Sequence, residues 1–268
     1  MPAVIPHEPR APGNSLAGRL VPTARIRVGF PLRSLGRPRP SAPGLLNWRD
    51  MDARLLIDGL LLWVGLVILL TFHEFGHAWM AMKCGDDTAK EQGRVSLNPL
   101  VHMDVIGTVI IPLAMIFLSL SGSGLASFLV GWARPVPVNP YNLRNPKLDD
   151  ILVTLAGPWM NLLLAVVLMG LARAGISAGA EPTVEFCLRL AHLSLLLFFF
   201  NLLPIPPLDG SQVVRALAGM SYETYARLAQ WGFVILILVL QIPFVRMALS
   251  VATLTSFRII AGWFGIGT

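Results

Sequence analysis

The sequence predicts an all-α polytopic membrane protein of about five to six transmembrane helices, with a re-entrant or extended membrane-associated element between the first two certain spans. Three observations carry this reading. The 268-residue chain is 54% hydrophobic and only 13% charged, with a mean hydropathy of +0.66, far too apolar for an ordinary soluble domain. Its apolar residues gather into runs long enough to cross about 30 Å of hydrocarbon, and every loop after residue 50 is too short to fold alone. One long run, Val105 to Trp132, is interrupted by Ser121-Gly122-Ser123-Gly124, which leaves Val105 to Leu120 slightly short for a span.

Residues 1–50 stand apart. They hold eight Arg against Glu8 and Asp50, together with nine of the 21 prolines, whereas the thirteen basic and thirteen acidic residues of 51–268 cancel. The net charge of +6 belongs to this arm alone, and nucleic acid is excluded as a partner. Without an apolar run the arm builds no core and is expected to be disordered. Three readings of it stay open: a flexible tail, an Arg-rich targeting sequence, or upstream sequence ahead of a start at Met51. Residues 51–268 form the unit that carries the chemistry. Cys84 and Cys187 lie in different segments and indicate no disulfide framework.

The first apolar run, Leu55 to Met82, is about 42 Å long as a helix and crosses with room to tilt. Ile151 to Ala172, Phe186 to Leu203, Tyr225 to Ile242 and Met247 to Phe264 are further spans, with Pro243 breaking the last two into a hairpin. From Arg134 to Pro140, Pro and Val alternate, which suggests an extended strand at a sheet edge.

His73-Glu74-Phe75-Gly76-His77 sits near the exit end of the first run. Three ionisable side chains there are costly in hydrocarbon unless they do chemistry. On a helix, His73 and His77 share a face and offer two imidazole nitrogens to one Zn²⁺, with Glu74 beside the open coordination position. A catalytic site wants a third protein ligand. Met80 and Lys83 stand where a metzincin would carry Gly and a final His, and Glu91, Glu181, Glu185 and Glu223 fall in loops or at helix ends. Asp209 is the better candidate, because Pro204, Pro206 and Pro207 hold the chain extended directly after a span. Membrane depth tolerates such backbone where it is buried in protein or lines a wet cavity. Blander roles stand beside these: a polar cluster tying helices together for HEFGH, and a turn or N-cap before a Ser211 to Ala218 helix for Asp209. His102 and His192 read as interfacial or packing residues, and Asp58 as a residue at headgroup level.

Three motifs in order, HEFGH, Ala156-Gly157-Pro158-Trp159-Met160-Asn161 and the NxxPxPxLDG element from Asn201 to Gly210, resemble the site-2 protease family of intramembrane zinc metalloproteases. Leu97 to Asp104 and Arg134 to Asn139 resemble a compact subgroup without PDZ or CBS domains, so the likeness covers nearly everything from Met51 to Ala218. It implies that His73, His77 and Asp209 bind one zinc ion, that Glu74 is the general base, and that Asn201 and Asn161 lie near bound substrate. Either Asn also fits a plain hydrogen bond between helices. The implied partners are a transmembrane protein or peptide substrate and the lipid bilayer.

A shared metal puts His73 and Asp209 at one depth, so the Leu55 and Phe186 helices run in the same direction and residues 105–132 cross an even number of times, as a re-entrant element does. The resemblance places the metal toward the cytosol, in a bacterial inner membrane. Lys83, Lys90, Arg94, Arg134, Arg144 and Lys147 then face inward and Arg54, Arg173 and Arg246 outward, in keeping with the positive-inside rule. The Arg-rich arm alone violates it, which is the reason for suspecting Met51. Two other function classes remain at this point: a catalytically silent zinc-binding membrane scaffold and a metal transporter.

Overall fold

Ala53–Cys84 is one 32-residue helix, α1, in a computed structural model that describes residues 53–120 and 131–267. The arm 1–50 and the Ser121-Gly122-Ser123-Gly124 interruption lie outside the described residues. Helix α1 stops at Gly85, whose φ of +106° is open to glycine and strained for other residues. The short helix α2 (Thr88–Glu91), a 3₁₀ turn (Pro99–Val101) and a π-helical turn (Val105–Ile110) lead into α3 (Ile111–Leu120). Asp104 starts the π turn by accepting from the N–H groups of Ile106 and Gly107. Next comes α4 (Pro146–Ala178), with Pro at its first position and Gly179 in the left-handed region closing it. It is followed by α5 (Glu181–Asn201), α6 (Asp209–Ala218), α7 (Tyr222–Ala229), α8 (Gly232–Leu240) and α9 (Pro243–Trp263). Helices α1, α4, α5 and α9 are long and apolar enough to cross a membrane, and the bent pair α7 and α8 makes a fifth candidate.

Contacts between helices fix their directions. Asp58 meets Arg189, Gly65 abuts Leu190, and Leu66 and Leu70 pack with Leu193 and Leu197, so α1 and α5 run parallel. His73 meets Asn161 and His77 meets Val153, so α4 runs back between them. Ile116 sits against Gly59 while Trp63 donates to the carbonyl of Thr108, so α3 descends along α1. Gly131 and Trp132 are nevertheless beside Gly107 again, with Trp132 N–H on the Gly107 carbonyl at 3.1 Å. Entry and return at one place are what a re-entrant element requires.

Three local expectations change. The Pro/Val stretch joins no sheet: among the described residues its one pairing is a bridge between Met103 and Ala133, because Pro135, Pro137 and Pro140 have no N–H for a ladder. Asp209 opens α6 itself, two residues ahead of the expected helix start. Tyr225 to Ile242 is no continuous span, since α7 and α8 meet at 57° around Trp231. Gly232 is pressed there against the Pro206 carbonyl, which a Cβ would approach to 2.4 Å. Helix α8 packs through Leu236 on Ile205 and Leu208, beside the end of α5. Helix α9 runs antiparallel to α5, with Phe257 at His192 and Phe264 at Gly170 of α4. Its first turn, with Arg246, therefore lies toward the Asp209 end of the bundle, whereas a crossing at 225–242 had put Arg246 on the other side.

Candidate metal centre

On α1, one turn apart, His73 and His77 turn their Nε2 atoms to within 3.1 Å of each other. The start of α6 brings Asp209 Oδ2 to 3.2 Å from His73 Nε2 and 3.5 Å from His77 Nε2. Donors at the corners of a tetrahedron around zinc stand about 3.3 Å apart, given ligand bonds of about 2.0–2.1 Å, so these spacings fit. Proton positions point the same way. His77 Nδ1 lies 2.8 Å from the Val153 carbonyl, which has only an acceptor to offer, so Nδ1 carries the hydrogen and Nε2 a lone pair. His73 Nδ1 lies 3.1 Å from the side-chain amide of Asn161, whose Oδ1 is a buried orphan. Turning that amide end for end lets Oδ1 accept from His73 Nδ1–H and leaves a lone pair on His73 Nε2 as well. Asp209 Oδ2 is buried with no hydrogen-bond donor. Lone pairs and a carboxylate oxygen converge on one point, which a cation satisfies and an empty polar cluster does not.

These residues edge a cavity of about 700 Å³. Leu70, Leu197, Phe200, Phe233 and Leu236 give it an apolar side, and Glu74, Thr154, Asn201 and Gln212 a polar one. Glu74 Oε2 accepts from the Val136 N–H at 3.2 Å. Asn201 is on the wall with its Nδ2 donating to the Leu197 carbonyl, while Asn161 is fully buried against His73 and off the wall.

The family model for Peptidase family M50 matches residues 61–179 and 173–240. The chain belongs to this family. Membership makes it a site-2 protease-type zinc metallopeptidase, and its long apolar helices make it an integral membrane protein. It is 37% identical over 188 residues to "Putative zinc metalloprotease YwhC" of Bacillus subtilis, covering 67% of this chain and 80% of the relative. With "Putative zinc metalloprotease Rip2" of Mycolicibacterium smegmatis it shares 33% over 229 residues, covering 80% and 84%. No solved structure matches. Neither the silent scaffold nor the transporter gains support from these likenesses.

In this M50 peptidase several supporting groups escaped the motif reading. The Val153 carbonyl, on the α4 face turned to α1, meets His77 Nδ1 at 2.8 Å in addition to its place in the helix, and Pro158 in the same helix leaves the neighbouring Thr154 carbonyl without its usual N–H partner. Gly157 matters as bare backbone, since a Cβ there would lie 2.2 Å from His77 Nε2. Arg215 of α6, buried, pairs with Asp150 of α4 and stacks at 3.8 Å on Tyr222, whose hydroxyl also donates to Asp150. That network ties the helix bearing Asp209 to the helix that orients the two His. Behind the site, the wholly buried Asp86 joins the loops. Burial alone would raise its carboxyl, but donors from Thr88, Asn142 and Asn139 outweigh burial and hold it below the usual range.

Proposed function

We propose that His73, His77 and Asp209 hold one zinc ion and that Glu74 is the general base in hydrolysis of peptide bonds of membrane-embedded protein or peptide substrates. The convergence of three donor atoms at tetrahedral spacing, with both His hydrogens directed away, carries the reading. Residues 51–268 act as one metalloprotease domain. Zinc supplies, when bound, Lewis-acid activation of water and of the scissile carbonyl. Glu74 takes a proton from the attacking water as its oxygen bonds to the carbonyl carbon, and returns it to the nitrogen as the C–N bond breaks. Asn161 orients His73 by holding its Nδ1 side, and Asn201, on the cavity wall, contacts substrate. A substrate helix must unwind first, because its carbonyls are committed within the helix. An unwound segment would lie against Pro135, Val136 and Val138, which line the cavity beside Glu74.

The membrane is the bacterial inner membrane, with the metal toward the cytosol. Lys83, Arg144 and Lys147 cluster at the metal end of α1 and α4, and Arg246 joins them there, which strengthens the positive-inside bias. The test uses a quenched-fluorescent peptide with a 20-residue Leu/Ala span interrupted by Asn-Gly, mixed with detergent-purified protein. Wild type should cleave it and Glu74→Gln should be slower by at least a hundredfold with its zinc retained. Equal rates would refute the assignment of Glu74.

A further inference from the structure

The extended backbone from Trp132 to Asn139 crosses the front of the site as a strap, and a buried cation grips it from behind. Arg134 N–H donates to the His102 carbonyl at 2.8 Å, and Asn139 N–H to Asp86 Oδ2 at 2.7 Å. Between these anchors Arg94 Nη2 donates to the carbonyls of Arg134 and Pro135 at 2.5 and 3.1 Å. Arg94 is 5% exposed and is not part of the cavity wall, whereas Pro135, Val136 and Val138 are. It therefore makes no contact with substrate, and its hydrogen bonds reach the site through the strap. Pro135 and Pro137 have no N–H, so Val136 supplies the one donor of that tripeptide, and that donor meets Glu74 Oε2 at 3.2 Å. Two consecutive carbonyls are clamped, and the next N–H along the chain reaches the base.

We propose that Arg94 is a positioning residue for proteolysis: by clamping the Arg134 and Pro135 carbonyls it sets the Val136 N–H that orients the Glu74 carboxylate. This rests on Glu74 being the base. One carboxylate oxygen held by an amide fixes the plane of the group and leaves the other to face the reacting water. The amide orients anything only while its own peptide plane is held, and the two N–H groups of Arg94 Nη2 hold two adjacent carbonyls where a single contact would let the strap rock. Misplacement of a reacting group by about 1 Å costs on the order of a hundredfold in rate.

In hydrogen–deuterium exchange of the purified full chain, Arg94→Ala should speed exchange at least tenfold in peptides covering 131–139 while peptides from α4 and α5 keep their protection. With the same Leu/Ala peptide substrate, kcat should fall ten- to a hundredfold, KM should stay within twofold, and zinc content should be unchanged. Val136→Pro, which deletes the donor within an already proline-rich strap, should give a similar loss of kcat, and the double variant should lose no more than either single one. A merely structural Arg94 would give additive losses or a loss of zinc. Unchanged exchange over 131–139, or wild-type kcat in Val136→Pro, overturns the proposal, and Val136→Pro decides alone if Arg94→Ala fails to fold. If Glu74→Gln is also fully active in this assay, the assignment of the base has failed as well; if Glu74→Gln is dead, only the role of Arg94 has.

Discussion

Gly157→Ala adds a single methyl group to α4 and should remove the metal. The new Cβ would lie 2.2 Å from His77 Nε2, 2.6 Å from His77 Cε1 and 2.8 Å from His73 Cε1. Restoring ordinary contact at 3.4 Å would require His77 Nε2 to retreat by about 1.2 Å, whereas ligand bonds hold to within about 0.2 Å. Helix α4 has little freedom to withdraw instead, because α5 packs on its other side, where the buried Ser194 hydroxyl donates to the Asn161 carbonyl at 2.6 Å. Loss of one imidazole from a three-ligand set should weaken zinc binding by at least about a hundredfold, or about 2.7 kcal/mol. Helix propensity acts in the opposite direction, since Ala is favoured over Gly by about 1 kcal/mol in a helix interior. A weakened α4 would therefore not explain the loss. Zinc per chain, measured by mass spectrometry of the purified protein across a chelator series and beside a thermal melt, is the assay. Zinc affinity within threefold of wild type would refute the close approach of α4 to the His pair.

Other perturbations separate the supporting groups. Asn161→Ala removes the partner of His73 Nδ1 and should weaken zinc binding ten- to a hundredfold in the same titration, the usual effect of losing a group that orients a ligand; unchanged affinity would show that the amide does not set the ring. Arg215→Met leaves the partly buried Asp150 with the Tyr222 hydroxyl alone, and should cost about 1–3 kcal/mol in denaturant unfolding. An unshifted unfolding midpoint would mean that the ion pair does not hold α6. Asp86 has a depressed folded pKa, so its contribution is fully present above the unfolded carboxylate value of about 3.9 and disappears as pH falls through that value toward the folded one. The melting-temperature gap between wild type and Asp86→Asn should be constant above about pH 5 and shrink below about pH 4. A gap that stays level down to pH 3 would contradict it.

The chemistry was more legible than the packing. The candidates His73, Glu74 and His77 come from spacing on one helix, and Asp209 from the proline-broken segment directly after a span, a choice that in turn requires the two helices to run parallel. The parallel course of α1 and α5, and the return of Gly131 to Gly107, agree with that requirement. What stayed hidden depends on which faces meet. Helix α8 is apolar on every side, so its sequence continues that of α7 as if one span; the bend comes from Gly232 lodging against the Pro206 carbonyl, a contact between segments far apart in hydropathy. The Pro/Val stretch was correctly read as extended, but its partners are side chains and loop carbonyls and no neighbouring strand, which no period-2 pattern reports.

Helix α4 shows how few extra facts would have exposed the rest of the site. Val153, Gly157 and Asn161 are four residues apart and lie on one stripe of that helix. Because α4 runs antiparallel to α1, the stripe presents a carbonyl to His77, bare backbone where the two rings crowd closest, and an amide to His73. Each element has a separate physical necessity: an acceptor to fix one tautomer, absence of a Cβ to admit the rings, and an invertible amide to fix the other tautomer. A helix with any other residue at 157 would hold the two orienting groups too far from α1 to use them. The His pair is therefore tuned by a three-residue device on a different helix. The direction of α4 relative to α1 was the one datum needed to see it.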